Sequence, residues 1–421
     1  MVSDIVGDII RFLITVAVLV AVAYLAVIYV APHFSFASLG PAVRVEDVPE
    51  QTPPLVPVGE TEAGAEAETE AGTEAAAQDP AVVYVEYVGD LELPVAGATG
   101  YAPTRLSVTA TAGGSATSIG ELAPGTAFLI ISEDGDWWEI SAKGLSGWVR
   151  HNLCMINLPD VIPSIVYNNT NASRSLFVTS GQAIPDITGE KLYDAYFYNR
   201  RLGRDEYIMP AMYAMAKKIY KAQKSAAAEG NTLVLYEAFR PYPVQVKVSR
   251  ALRILAMGDK TVDAGINAAP WSVTWFISSG VSIHQEGCAI DVSLATVLEA
   301  EENYVGEYIY RKPVDYYEFT MPSPLHELSK RSVMLTRPIN ISDTGNSLAK
   351  HYSEGMKNSV GAQKLQTYCM DAGLLPLASE WWHFNDMETR NSLPLRGRGD
   401  FYITECYSAA PQLVAKNVPQ D

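Results

Sequence analysis

The sequence predicts an α+β protein whose larger unit combines an antiparallel sheet with flanking helices, preceded by a small all-β barrel and a transmembrane helix. Three observations predict this. Residues 12–31 carry no charge; residues 82–157 are short β-like runs broken by turn residues; and the following 250 or so residues mix helical and strand periodicity. A chain of 421 residues exceeds one ordinary domain, so two folded units with connectors are expected.

The uncharged run spans 20 residues, about 30 Å of helix at ~1.5 Å per residue, enough to cross a bilayer core. Arg11 precedes it and no Lys or Arg follows until Arg44, so the positive-inside rule leaves residues 1–11 as a cytoplasmic tail and places the rest outside. A cleaved signal peptide is the rival, with Ser35-Phe-Ala37 as a small-residue site; the run is longer than a usual signal core, which favours an uncleaved single-pass anchor in the cell membrane. Residues 32–81 follow as an acidic linker. Its last forty positions hold ten carboxylates against Arg44 alone, nine of the chain's seventeen net negative charges, in Pro-, Ala- and Thr-rich sequence that repels itself and buries nothing. Nucleic-acid binding, which needs a basic face to displace phosphate counterions, is excluded as a function.

In the all-β stretch 82–157 the runs begin at Leu106, Ala127, Trp137 and Gly147, separated by Gly113-Gly, Pro124-Gly, Asp134-Gly-Asp and Lys143-Gly. Trp137, Trp138 and Trp148 are read as barrel core. In residues 158–409, apolar positions at Ile208, Met212, Met215, Ile219 and Ala222, closed by Gly230, predict a helix over 205–229. A strand follows at 232–237. Pro243 opens a second helix with Val244, Val248, Leu252 and Leu255 on one face and Gly258 at its end. Residues 287–294 read as a strand and 363–372 as a helix before Gly373; Pro376 separates that helix from a Trp-rich segment, and 410–421 form a tail.

Two motifs carry chemistry. Residues 282–291 read SIHQEGCAID, and 89 residues after Asp291 comes Glu380-Trp-Trp-His383. Hydrolytic zinc takes three N/O ligands with one position left for water, and a carboxylate outside the ligand set accepts the proton of that water. His284, Asp291 and His383 are the candidate ligands and Glu380 the candidate base. In a regular strand Glu380 and His383, three apart, face opposite sides, so Glu380 is expected in a loop or bulge at the strand entrance.

These stretches resemble the zinc D-Ala-D-Ala metallopeptidases, the family of VanX-type dipeptidases and VanY-type carboxypeptidases, whose signatures are S-x-H-x-x-G-x-A-x-D and E-x-x-H. Ser282, His284, Gly287, Ala289 and Asp291 match the first, and Glu380, Trp382 and His383 the second. YEAFRP over 236–241, with Arg240 standing 44 residues before His284, resembles the family's strand ending in Arg-Pro. Ile119-Gly-x-Leu-x-x-Gly125, Trp138 with Ile140, and Gly144-x-x-Gly-Trp-Val149 look like a bacterial SH3-like domain. The peptidase resemblance covers roughly 160 to 405; it departs from the family at Cys288, a variable position, and in the long segment between Asp291 and Glu380, expected to reshape the cleft.

The resemblance implies one Zn2+ per chain, Glu380 as catalytic base, and Arg240 at the substrate carboxylate or the tetrahedral oxyanion, a task suited to a planar guanidinium. It implies that Ser282 hydrogen-bonds the substrate's C-terminal carboxylate and that Gln245 assists in substrate binding. The activity implied is a D-alanyl-D-alanine carboxypeptidase acting outside the cell on peptidoglycan stem peptides; a D-Ala-D-Ala dipeptidase, an L,D-carboxypeptidase and an inactive wall-binding protein are the alternatives, and intact Glu380 argues against the last. Two rival chemistries fit less well. Serine peptidases of the S-x-x-K type find only Ser347-Leu-Ala-Lys350 and no K-T-G, and a Cys288 nucleophile lacks the surrounding motif. Taken alone, His33, His151, His326 and His351 read as surface or satisfied core residues. No C-x-x-C occurs among Cys154, Cys288, Cys369 and Cys406, and a Cys154–Cys406 disulfide is expected for an exported chain. Trp381 and Trp382 are read as packing that shields the site.

Overall fold

The structure, a computed structural model, describes residues 83–341, 345–393 and 399–409. The segments read as membrane span and acidic linker, and the tail 410–421, lie outside the described residues. Among the described residues no helix is long and apolar enough to cross a membrane. The described residues fall in one compact unit, and its fold is mixed α+β with antiparallel sheets.

The all-β stretch folds into strands β1 (Thr99–Tyr101), β2 (Leu106–Thr109), β3 (Ser118–Leu122), β4 (Ala127–Asp134), β5 (Trp137–Ala142), β6 (Leu145–Arg150) and β7 (Met155–Asn157). Two later strands that join the two main sheets are β8 (Val166–Tyr167) and β9 (Pro210–Met212). The first sheet has eight strands in the order β9-β7-β1-β4-β5-β6-β2-β3, all neighbours antiparallel. Strand alternation fills its interior with Leu106, Val108, Phe128, Ile130, Trp138, Ile140 and Val149. Trp138 is core as expected, whereas Trp137 and Trp148 are half-buried, Trp137 lying beneath the Arg150 guanidinium at 5.8 Å.

Strand β9 comes from the peptidase-like stretch, so the first sheet crosses position 158. Residues 399–409 return to the same sheet: the Tyr101 hydroxyl donates to Glu405 O at 2.8 Å and the Ala409 amide to Gly97 O at 3.1 Å.

Helix α1 (Tyr213–Ala228) begins eight residues later than expected. Residues 204–207 pair with 196–199 as a hairpin and Pro210 opens β9. Proline has no amide to donate and disfavours helix in the residue before it, which excludes this stretch from the helix interior. From Tyr213 on, Met215, Ile219, Ala222 and Ala226 form the buried stripe of an amphipathic helix.

The second sheet holds β10 (Asn231–Glu237), β11 (Ala289–Val305), β12 (Tyr308–Glu318), β13 (Leu375–Leu377) and β14 (Glu380–Asn385). Its order is β13-β14-β11-β10-β8, with β12 paired to the outer length of β11; only β10 and β8 run parallel. Every residue of β10 and of β14 is buried, and so are the first seven of β11. This is why these stretches read as continuous rather than alternating. Helix α2 (Tyr242–Gly258) opens with Pro243 in its first turn, and α3 (Val360–Asp371) packs on α1.

The expected Cys154–Cys406 disulfide is absent, and all four cysteines are free. The Cys154 thiol donates to Arg150 O at 3.3 Å; that of Cys406 lies 3.3 Å from the hydroxyls of Thr99 and Ser408. Each thiol is thus satisfied by an oxygen neighbour, Cys154 by a backbone carbonyl and Cys406 by two hydroxyls, rather than by the other sulfur.

Candidate metal centre

Sheet register places the first part of the site. Asp291, third residue of β11, lies opposite Glu237 on β10 and opposite His383 on β14. Directly opposed residues share one face of a sheet, so three buried groups stand in a row across three strands.

Glu380 opens β14, and the pairing with β13 is irregular there: Pro376 opposes Phe384 while the next residue, Leu377, opposes Glu380. This irregularity at the strand entrance supplies the turn that two residues three apart need in order to face one space. Glu380 Oε2 lies 3.8 Å from His383 Nδ1.

His284 comes from the turn that leads into β11. Amides of Gln285, Glu286 and Gly287 donate to the carbonyls of Ser282, Ile283 and His284, and Gly287 closes the turn at φ +67°. That backbone conformation favours glycine, and a Cβ there would stand 2.5 Å from the tip of the Met155 side chain, which would have to move.

The three candidate ligand atoms converge. His383 Nδ1 is 2.9 Å from Asp291 Oδ1, His284 Nε2 is 3.4 Å from the same oxygen, and the two ring nitrogens are 3.2 Å apart. A tetrahedral ion with bonds of about 2.0–2.1 Å spaces its ligand atoms roughly 3.3–3.4 Å apart, so the set needs shifts of only tenths of an ångström.

The outward nitrogens are also placed as metal ligands require. His284 Nδ1 faces Ala238 O at 2.7 Å and His383 Nε2 faces Asn385 Oδ1 at 2.9 Å, which fixes each ring and turns its other nitrogen inward. The buried His284–Asp291–His383 group can therefore hold a metal ion, and Glu237, Asp291 and His326 form a second cluster of ligand type sharing Asp291.

Burial alone would push the Asp291 carboxyl up, but His284, His326 and His383 around it hold it well below the usual carboxylate range. Burial pushes Glu380 up to about 8; Asp291 adds to this, while His383 and Arg240 oppose it. Burial lowers His284 as well, a neutral ring being what a ligand must present.

A cavity of about 420 Å³ opens over the cluster, lined among others by Phe177, Arg240, Gln245, Ser282, Glu380 and Trp382. Arg240, 5 % exposed, is engaged there rather than free: its Nε donates to Glu237 at 2.6 Å, one terminal nitrogen to Asp291 Oδ2 at 3.0 Å and the other to Gln245 Oε1 at 2.8 Å. Gln245 in turn donates to Ser278 O at 2.9 Å. The Ser282 hydroxyl is buried and has no hydrogen-bond partner, so it is an unspent polar group of the cavity wall. Trp381 and Trp382 are 1 % exposed and pack edge to face, with Trp382 against the cavity. Cys288 is fully buried and burial pushes its thiol up, which makes it inert as a nucleophile.

One residue of the site gave no signal in the sequence. His326, fully buried, places Nε2 3.2 Å from Asp291 Oδ2. It lies in the long segment between the motifs with no ligand-type spacing around it, and only folding brings it beneath Asp291. No protein-family model matches the chain, and no curated protein matches it.

Proposed function

We propose that this protein is a zinc-dependent carboxypeptidase that removes the C-terminal D-amino acid from peptidoglycan stem peptides, carried outside the cell on an N-terminal membrane anchor and an SH3-like module. The observation that carries this reading is the convergence of His284 Nε2, Asp291 Oδ1 and His383 Nδ1 within 2.9–3.4 Å on the floor of a cavity, with a second buried carboxylate, Glu380, 3.8 Å from His383. A zinc ion held there supplies Lewis acidity toward the scissile carbonyl and lowers the pKa of an attacking water.

The chain's own residues do the rest. Glu380, desolvated and outside the ligand set, accepts the water's proton and returns it to the departing amine. Arg240 keeps its charge, because Glu237 and Asp291 outweigh the effect of its burial; it holds Asp291 and puts positive potential at the cavity wall, where an oxyanion develops. The Ser282 hydroxyl is left to hydrogen-bond the substrate's terminal carboxylate, and Trp382 with Phe177 keeps the floor dry.

Incubating the detergent-solubilised, zinc-loaded protein with tetrapeptide and pentapeptide stems and with free D-Ala-D-Ala, and weighing the products, tests the reading. Loss of one D-alanine from the pentapeptide supports it. Cleavage of the tetrapeptide alone makes it an L,D-carboxypeptidase, cleavage of the dipeptide alone a dipeptidase, and no cleavage by zinc-loaded protein a wall-binding protein.

A further inference from the structure

The two oxygens of Asp291 have different surroundings. Oδ1 faces the ring nitrogens of His284 and His383. Oδ2 is gripped from behind by two donors, Arg240 at 3.0 Å and His326 Nε2 at 3.2 Å. Both donors rest on one ring: His326 stacks on Phe177 at 4.4 Å and 18°, and the Arg240 guanidinium lies 5.1 Å from the centre of the same ring.

His326 is held there against two unfavourable features. Its backbone has φ +58°, a region that a residue with a Cβ avoids, and its buried Nδ1 has no hydrogen-bond partner. The loop that carries it is pinned on both sides. The Val178 amide donates to His326 O at 3.1 Å, and Glu327 accepts from the Gly181 amide at 2.9 Å. Further along, Ser332 donates to Ser379 O at 3.0 Å and its carbonyl accepts from the Trp381 amide at 3.2 Å, bracketing Glu380.

We propose that His326 is a positioning residue: by donating from Nε2 to Asp291 Oδ2 it works with Arg240 to make Asp291 a one-oxygen ligand through Oδ1. A carboxylate held by one oxygen leaves a coordination position for water and substrate, whereas one free to rotate can close over the ion with both oxygens. The segment between the motifs is thus part of the site as well as of the cleft wall. This inference rests on the metal-binding reading above.

Zinc affinity measured by competition with a chromophoric chelator, on full-length protein in detergent, tests it together with the thermal midpoint of each variant. His326→Phe keeps the stack on Phe177 and removes the donor; the expected loss is about 10- to 100-fold in affinity, the usual effect of deleting a partner of a ligand. His326→Gln, whose amide nitrogen reaches the place of Nε2, should stay within about threefold of wild type. A merely structural His326 would lower the thermal midpoint in both variants and leave affinity within twofold, and that result overturns the proposal.

X-ray absorption on zinc-loaded wild type, together with a crystal structure of it, needs no variant. Asp291 bound through Oδ1 with Oδ2 on His326 supports the proposal, and two-oxygen binding overturns it even if His326→Phe fails to fold. Wild type that binds no divalent metal would defeat both this proposal and the reading it rests on. Zinc bound equally by wild type and His326→Phe defeats this one alone.

Discussion

Asp160 and Asp291 are both buried aspartates, one behind the eight-stranded sheet and one at the centre of the six-stranded sheet. Asp160 is fully buried and surrounded by neutral donors: the Thr99 amide at 2.7 Å, Asn157 at 3.0 Å, and the side chains of Asn199 and Ser408. Asp291, 2 % exposed, has a guanidinium and three imidazoles, and two of those imidazoles present nitrogens that could equally face a cation. Glu380, beside it, has its contact with His383 at 3.8 Å, beyond hydrogen-bonding distance. A buried carboxylate satisfied by amides and hydroxyls organises chain; one surrounded by ligand-type nitrogens can hold an ion, and another beside it left short of donors meets what the proposed proton transfer requires.

The comparison breaks most severely at the ligands. His383→Ala should lose nearly all zinc, because two remaining groups rarely hold the ion, whereas wild type should hold close to one zinc per chain. Metal analysis of the two purified proteins decides this, and equal zinc in both would remove the ligand assignment. Glu380→Gln should keep its zinc and its fold while turnover drops by roughly 10² to 10⁴, the range for a general base; near-normal turnover would defeat the assignment of Glu380.

Asp160→Ala should do the reverse. It leaves buried donors unsatisfied at about 1–3 kcal/mol for such a group, so chemical denaturation should show the loss while zinc per folded molecule stays unchanged. Zinc loss without loss of stability would show that the two regions are not separate in kind.

The smallest effect concerns pH. Glu92 has the Ser164 amide as donor at 2.9 Å, and burial raises its carboxyl to about 7. The folded protein therefore keeps a proton there that the unfolded chain releases near ~4.3, so stability should fall as pH rises from about 4.3 to 7. In Glu92→Gln that part of the decline should disappear from denaturation midpoints taken across this range; an unchanged slope would show that the group titrates normally.

Much of the site was legible because its chemistry is local. Ser282 to Asp291 and Glu380 to His383 each combine residue types that a hydrolytic ion needs, and the three-residue spacing of the second motif already required the irregular strand entrance found at Leu377 and Glu380. The helix from Pro243 and the strand before Glu237 were legible for the same reason, since proline placement and unbroken apolar runs act over a few residues. The late start of α1 was not legible because the apolar residues Ile208, in the link after the hairpin, and Met212, in β9, also fit a helical period.

The sequence by itself determined the α+β class, the two motifs, and which side chains could serve as ligands and base. Only the tertiary structure decided how the groups are used. It placed Arg240 on Glu237 and Asp291 instead of leaving it free, left the Ser282 hydroxyl unspent, kept Cys154 and Cys406 apart as thiols, and brought His326 beneath Asp291 from 35 positions away. The physical reason is range. Propensity, capping and motif spacing act within a turn or a strand, whereas which donor satisfies which buried charge depends on strands and loops that meet only after the sheet has formed.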